Sequence, residues 1–184
     1  MPQPLQQQPS VFGGRFAIFA AGSYQTAAAT QSNGGVPLST TNVAGWQLGL
    51  RVHGNDYNAF EFRFSFAQPT QTYGSNLSVR FSEETYSLDY VRTIPLEGSI
   101  RPFFLGGVSI IHYIPVGANN TVGSGPQVRP GIDYGAGLDW KLTPQLSLRI
   151  EYRGIIYRLP DFDLIGISQW NHMPVPDVGL EWHF

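Results

Sequence analysis

Two short stretches of this chain place opposite charges two residues apart: Glu61-Phe-Arg63 and Arg149-Ile-Glu151-Tyr-Arg153. In an extended chain side chains alternate between two faces, so residues two apart stand side by side. Arg15, Arg51, Asp89, Asp139 and Glu181 occupy the same polar positions of comparable alternating segments. Confined to a narrow space, these ten side chains would pair as a network, because an unpaired buried charge is expensive. Such a network can serve as an ion path or gate, or as a plugged structural core. A narrow interior, argued below, favours the plug, with these ten residues as its luminal polar network.

Other chemistry has less support. The four histidines, His53, His112, His172 and His183, show no metal-ligand spacing and read as luminal or interfacial residues. Ser109 and His112 lie three positions apart, which on a strand puts them on opposite faces. His172 could meet Ser168 and Asp163 in a loop as base, nucleophile and carboxylate, and Asp161-Phe-Asp163 could offer oxygens to calcium. A solvated loop is the simpler reading of both. Cysteine is absent, which excludes disulfides, a thiolate nucleophile and Cys-ligated metals. The expectation is no catalytic residue, no metal and no cofactor. With 11 basic against 13 acidic residues, nucleic acid is not expected as a partner.

The elements that must position these charges are strands. Alternation recurs in eight segments near the roughly 9–11 residues that a tilted membrane-spanning strand needs. Residues 12–24 place Phe16, Ile18 and Ala20 opposite Arg15, Ala17 and Ser23, and residues 45–53 place Trp46, Leu48, Leu50 and Val52 opposite Gln47, Gly49, Arg51 and His53. Residues 60–67 set four phenylalanines, Phe60, Phe62, Phe64 and Phe66, against Glu61, Arg63, Ser65 and Ala67. The pattern returns at 86–90, 132–140, 146–153 and 178–184. The fifth segment, 100–113, is apolar on both faces, so its orientation stays open, with room for a bulge near Gly106-Gly107.

Connections alternate in length. Segments two and three, four and five, and six and seven are joined by short turns at 54–57, 93–98 and 143–145. The others are long: 25–42, 69–77, 115–129 and 159–174.

An eight-stranded interior is just wide enough to be filled by side chains or to hold one small ligand. The bulky face carries too many Phe, Tyr, Trp, Leu and Ile to fit there, which argues against a soluble lipocalin-like barrel. The face with Gly49, Gly135, Gly137 and Gly179 among Arg and Glu suits a narrow lumen. The apolar face must then meet lipid, and charges there would be costly. Aromatics near the segment ends, Tyr24, Trp46, Tyr57, Tyr73, Tyr113, Trp140, Tyr157 and Trp182, fit interfacial girdles.

The final segment, Val178-Gly-Leu-Glu-Trp-His-Phe184, puts Val178, Leu180, Trp182 and Phe184 on one face and ends on an aromatic. It resembles the closing strand of bacterial outer-membrane β-barrels, where such residues form the signal read by the barrel-assembly machinery. Arg101-Pro-Phe-Phe-Leu-Gly-Gly107 and Gly135-Ala-Gly-Leu-Asp-Trp-Lys-Leu-Thr-Pro-Gln-Leu-Ser-Leu-Arg-Ile-Glu-Tyr152 extend the resemblance to small OmpA-like barrels across nearly the whole chain. The resemblance implies an all-β fold: an eight-stranded antiparallel up-and-down transmembrane β-barrel with short periplasmic turns and long extracellular loops. It implies outer-membrane lipid and the assembly machinery as partners, and other envelope or surface proteins as candidates. The family includes anchors, adhesins and a few lipid enzymes, so fold does not settle function. The expectation is a non-enzymatic barrel with a structural or interaction role, the alternatives being a narrow-channel porin and a lipid-modifying enzyme.

Residues 1–10 are Gln/Pro-rich and read as a flexible tail before a barrel domain at 11–184. They lack the basic and hydrophobic regions of a signal peptide, as expected of a form from which the signal has been removed. The fourth long loop is rich in apolar residues, and Phe162, Leu164, Ile165, Ile167 and Trp170 form the candidate partner surface. An extension of the seventh strand is the other reading.

Overall fold

The computed structural model describes residues 15–26, 30–31, 37–74, 77–94, 96–116, 125–160 and 170–184. The expected tail and positions 11–14 lie outside the described residues. In chain order the strands are β1 (Phe16–Gln25), β2 (Thr30–Gln31), β3 (Pro37–Thr40), β4 (Val43–Asn55), β5 (Asn58–Ala67), β6 (Thr70–Tyr73), β7 (Leu77–Thr93), β8 (Ile100–Pro115), β9 (Gln127–Lys141), β10 (Leu146–Arg158) and β11 (Trp170–His183).

Eight of them, β1, β4, β5, β7, β8, β9, β10 and β11, pair in that order as antiparallel neighbours, and β11 returns to β1 from Ala17↔His183 to Ser23↔Asp177. The barrel is closed, which leaves no unpaired sheet edge in lipid. The Phe184 N–H donates to the Phe16 carbonyl at 2.8 Å and completes the seam.

Along the ladders odd residues oppose odd ones, so the inner face is the odd-numbered set in all eight strands. The even-numbered set, with Phe62, Leu88, Ile132 and Leu180 among it, is exposed on the outside. Period-two alternation thus sets which face each residue takes, and pairing sets who stands beside it.

The fifth segment is oriented by its neighbours. Phe103, Leu105, Ser109, Ile111 and Tyr113 of β8 are buried inside, while Phe104, Val108 and Ile110 face out. The bulge allowed for at Gly106-Gly107 is not there, because β8 keeps register with β7 and β9 through both glycines. Gly107 instead permits close approach: a Cβ would stand 2.2 Å from the Leu88 carbonyl oxygen. Among the described residues, the one irregularity in the barrel ladders lies between His53 and Asn55, beside the β4–β5 turn. There Asn55 Oδ1 accepts from the N–H groups of Tyr57 and Asn58, both at 2.9 Å, and tightens the corner.

Several strands outrun their expected bounds at the long-loop end. β7 begins at Leu77, and its upper part pairs with β6, which pairs with β3 and then β2. The stretches 25–42 and 69–77 therefore contain strands, too short and polar to show alternation. β10 and β11 likewise stay paired up to Arg158↔Trp170, which is the strand extension the fourth loop allowed. Two presumed girdle residues are corrected: Tyr113 and Tyr157 are odd-numbered, buried inside and stacked on each other at 6.4 Å. Tyr24, Trp46, Tyr57, Trp140 and Trp182 are exposed outside; the side chain of Tyr73 lies outside what is described.

Candidate functional site

The lumen is built in three storeys. In the middle one, Arg149 of β10 reaches Glu61 at 2.7 Å and Glu181 at 3.3 Å, and also pairs with Glu151. Arg51 of β4 joins Asp139 at 2.8 Å, Glu61 at 3.0 Å and Glu181 at 3.2 Å. Arg63 of β5 crosses the barrel to Glu151 at 2.8 Å, donates to Gln47 at 2.7 Å and meets Asp177 at 3.4 Å. Nearer the long loops, Arg153 bridges Asp89 at 2.9 Å and Asp133 at 2.5 Å, and Ser109 Oγ donates to Asp133 at 2.9 Å. All these side chains are buried.

Two aromatic rings frame the hub. Phe19 of β1 and Phe103 of β8 turn inward, and the Arg149 guanidinium sits 4.5 Å from one ring centroid and 4.8 Å from the other. Arg63 also stacks on Phe19, and Arg51 on Phe103, each at 5.1 Å. Such contacts gain strength where water is excluded. Glycine makes them possible, because each ring occupies the space that a side chain on the neighbouring strand would take. A Cβ on Gly49 would stand 2.1 Å from the Phe19 ring, and one on Gly137 would stand 2.4 Å from Phe103.

At the long-loop end apolar side chains gather inside the lumen, alongside the buried Gln25, Gln71 and Glu83. Leu38, Val79, Phe81, Ile111, Tyr113, Ile155, Tyr157, Leu159, Met173 and Val175 form one buried cluster, part of it contributed by β3 and the upper part of β7. The gap left among Gln25, Gln71, Glu83, Tyr113 and Tyr157 measures about 10 Å³, room for one water. At the short-turn end stand His53 and His183, with ring centroids 6.1 Å apart, and Ser147 Oγ is 3.1 Å from His183 Nε2.

Of the ten residues expected in the luminal network, Arg51, Glu61, Arg63, Asp89, Asp139, Arg149, Glu151, Arg153 and Glu181 are buried inside, and all nine make ion pairs there. Arg15 is corrected: it is exposed, one residue before β1, beyond the wall that would enclose it. Gln47, Asp133 and Asp177 belong to the network and were not foreseen there, although their alternation put them on polar faces. Phe19 and Phe103 carried no such signal, since each is flanked by apolar residues.

Val178, Leu180, Trp182 and Phe184 are exposed on the outer face. Of the candidate partner surface, Phe162, Leu164, Ile165 and Ile167 lie outside the described residues, as do Asp161, Asp163 and Ser168. Trp170 is 57% exposed and stacks on the Arg158 guanidinium at 5.1 Å. Ser109 and His112 do point to opposite faces, inward and outward. His172 is bonded to the Tyr134 hydroxyl at 2.8 Å, and the two rings stack outside the barrel over Gly154.

The sequence profile of the outer membrane protein β-barrel domain matches residues 4–172. Among solved structures, Neisserial surface protein A superposes with a TM-score of 0.66 at 13% identity, covering 93% of this chain and 98% of that one. Ail, the attachment invasion locus protein of Yersinia pestis, solved with the heparin analogue sucrose octasulfate, gives 0.58 at 15% identity, covering 93% and 99%. OprG from Pseudomonas aeruginosa gives 0.58 at 13%, covering 93% and 96%. No curated protein matches in sequence. At such identities the structural likeness speaks for fold.

Proposed function

The chain belongs to the outer membrane protein β-barrel domain family, and from that premise we propose that it is a non-enzymatic barrel that serves a structural or interaction role through its extracellular end. It is a protein of the bacterial outer membrane whose even-numbered face meets lipid.

The observation that carries the proposal is the filling of the lumen. The paired arginines and carboxylates span it from β5 to β10, and above them lies the buried, largely apolar cluster, beside which one gap measures about 10 Å³. A solute path needs a continuous hydrated passage, and packed ion pairs beneath a largely apolar plug oppose one. The lumen then acts as a rigid core that holds up the extracellular strands β2, β3 and β6. Those strands, the β10–β11 extension and exposed Trp170 are the surface offered to envelope or surface partners. The outer face of β11, with Val178, Leu180, Trp182 and Phe184, is the surface the barrel-assembly machinery would read during biogenesis.

Single-channel recording in planar bilayers tests this. Wild-type protein should give no stable conductance steps. Arg63→Ala should unfold more easily while remaining non-conducting. Discrete, long-lived steps from wild type, or a stable conducting Arg63→Ala barrel, would assign the lumen to transport instead.

A further inference from the structure

On the periplasmic floor His53 of β4 and Glu181 and His183 of β11 face one another. One donor atom from each lies within 4.8 Å of those of the other two. The strands that carry them are separated by β1, where Ala17 pairs with Arg51 on one side and His183 on the other and the Arg15 carbonyl accepts from the His53 N–H. One carboxylate oxygen of Glu181 is 3.3 Å from Arg149, while the other faces His183 Nε2 at 3.8 Å and Arg51 at 3.2 Å. Ser147 Oγ beside His183 Nε2 adds a polar group to the same corner.

Two imidazoles and one carboxylate are a donor set for zinc-class divalent ions, with a position left for water. Among the described residues the lumen as a whole holds eight buried carboxylates against five buried arginines, an excess of negative charge that a cation or protons would offset; at this floor Asp139 and Glu181 both meet Arg51, and Glu181 also meets Arg149. The place lies beside the short-turn rim: the backbone N–H groups of His53 and His183 donate to the Arg15 and Gln145 carbonyls, and the two residues keep 8% and 3% of their surface exposed.

We propose that His53, Glu181 and His183 form a binding site for a zinc-class divalent cation that ties β4 to β11 across the seam strand β1. Occupancy stabilises the closed barrel by mass action, because the unfolded chain does not hold the three donors together.

The test uses the untagged full chain in detergent micelles, titrated with Zn²⁺ by calorimetry and with Co²⁺ by visible absorption. Folding is checked by heat-modifiable gel migration. The expected result is one ion per chain, with affinity lowered about tenfold or more by His53→Ala or His183→Ala and unchanged by the outward-facing pair His112→Ala/His172→Ala. Zn²⁺ should also raise the urea midpoint of wild type, a readout that needs no variant to fold. Wild-type binding equal to that of His53→Ala/His183→Ala, or a wild-type urea midpoint indifferent to Zn²⁺, would overturn the site.

Discussion

Replacing Arg149 by alanine removes the cation that pairs with Glu61, Glu151 and Glu181 and fills the space between the Phe19 and Phe103 rings. The carboxylates are not left bare: Glu61 keeps Arg51 and Arg63, Glu181 keeps Arg51, and Glu151 keeps Arg63. Removing one partner from a buried ion pair costs about 3–5 kcal/mol. The remaining partners favour the lower end, and the loss of two ring contacts in a dry site moves it back up. The expected destabilisation is therefore about 3–5 kcal/mol, a shift in the unfolding equilibrium of roughly a hundredfold to a few thousandfold. Urea titration in micelles measures it, with Trp46, Trp140 and Trp182 as outer-face reporters that leave detergent for water on unfolding. The double variant Arg149→Ala/Glu151→Ala should recover part of the loss, because it also removes a carboxylate that would otherwise stay under-compensated. A single-variant loss below about 1 kcal/mol, or a double-variant loss equal to the sum of the two singles, would refute a tightly coupled luminal hub.

Three other outcomes are expected. Phe62→Arg places a charge midway along β5, between Leu50 and Leu88 on the lipid face, and should cost about 2–4 kcal/mol in the same urea assay in bilayers; no change would mean that this face does not meet lipid. Gly49→Ala drives a methyl group into the Phe19 ring and should cost about 1–3 kcal/mol, with Phe19→Leu in the same chain restoring part of it. Phe184→Ala should lower the amount of barrel reaching the outer membrane in cells while leaving refolding into micelles unchanged, because its side chain is 58% exposed and the seam bond uses its backbone N–H. Equal loss in both settings would give it a packing role instead.

The number of barrel strands, the two faces and the lipid-facing side were legible in the sequence, because each rests on a local signal. Phe60, Phe62, Phe64 and Phe66 alternate with Glu61, Arg63 and Ser65 whatever their neighbours are, and a period of two assigns them to opposite faces. Turn chemistry at 54–57 and 143–145 is equally local. The doubly apolar 100–113 carried no such contrast, and only pairing with β7 and β9 turned Phe103 inward and Phe104 outward.

The site was legible in kind and not in arrangement. Arginines and carboxylates could be assigned to the lumen, but the partner of each is set by closure and stagger: Arg63 meets Glu151 88 residues away, and Gln47 meets Asp177 130 residues away. His53 and His183 likewise lack ligand spacing along the chain and meet because β1 draws β4 and β11 to its two sides. The apolar upper plug also depends on β3 and the upper part of β7, whose few residues gave no readable period. Alternation is a property of one strand and survives in the sequence. Pairing across a closed barrel depends on all eight registers at once, and only the folded chain supplies them.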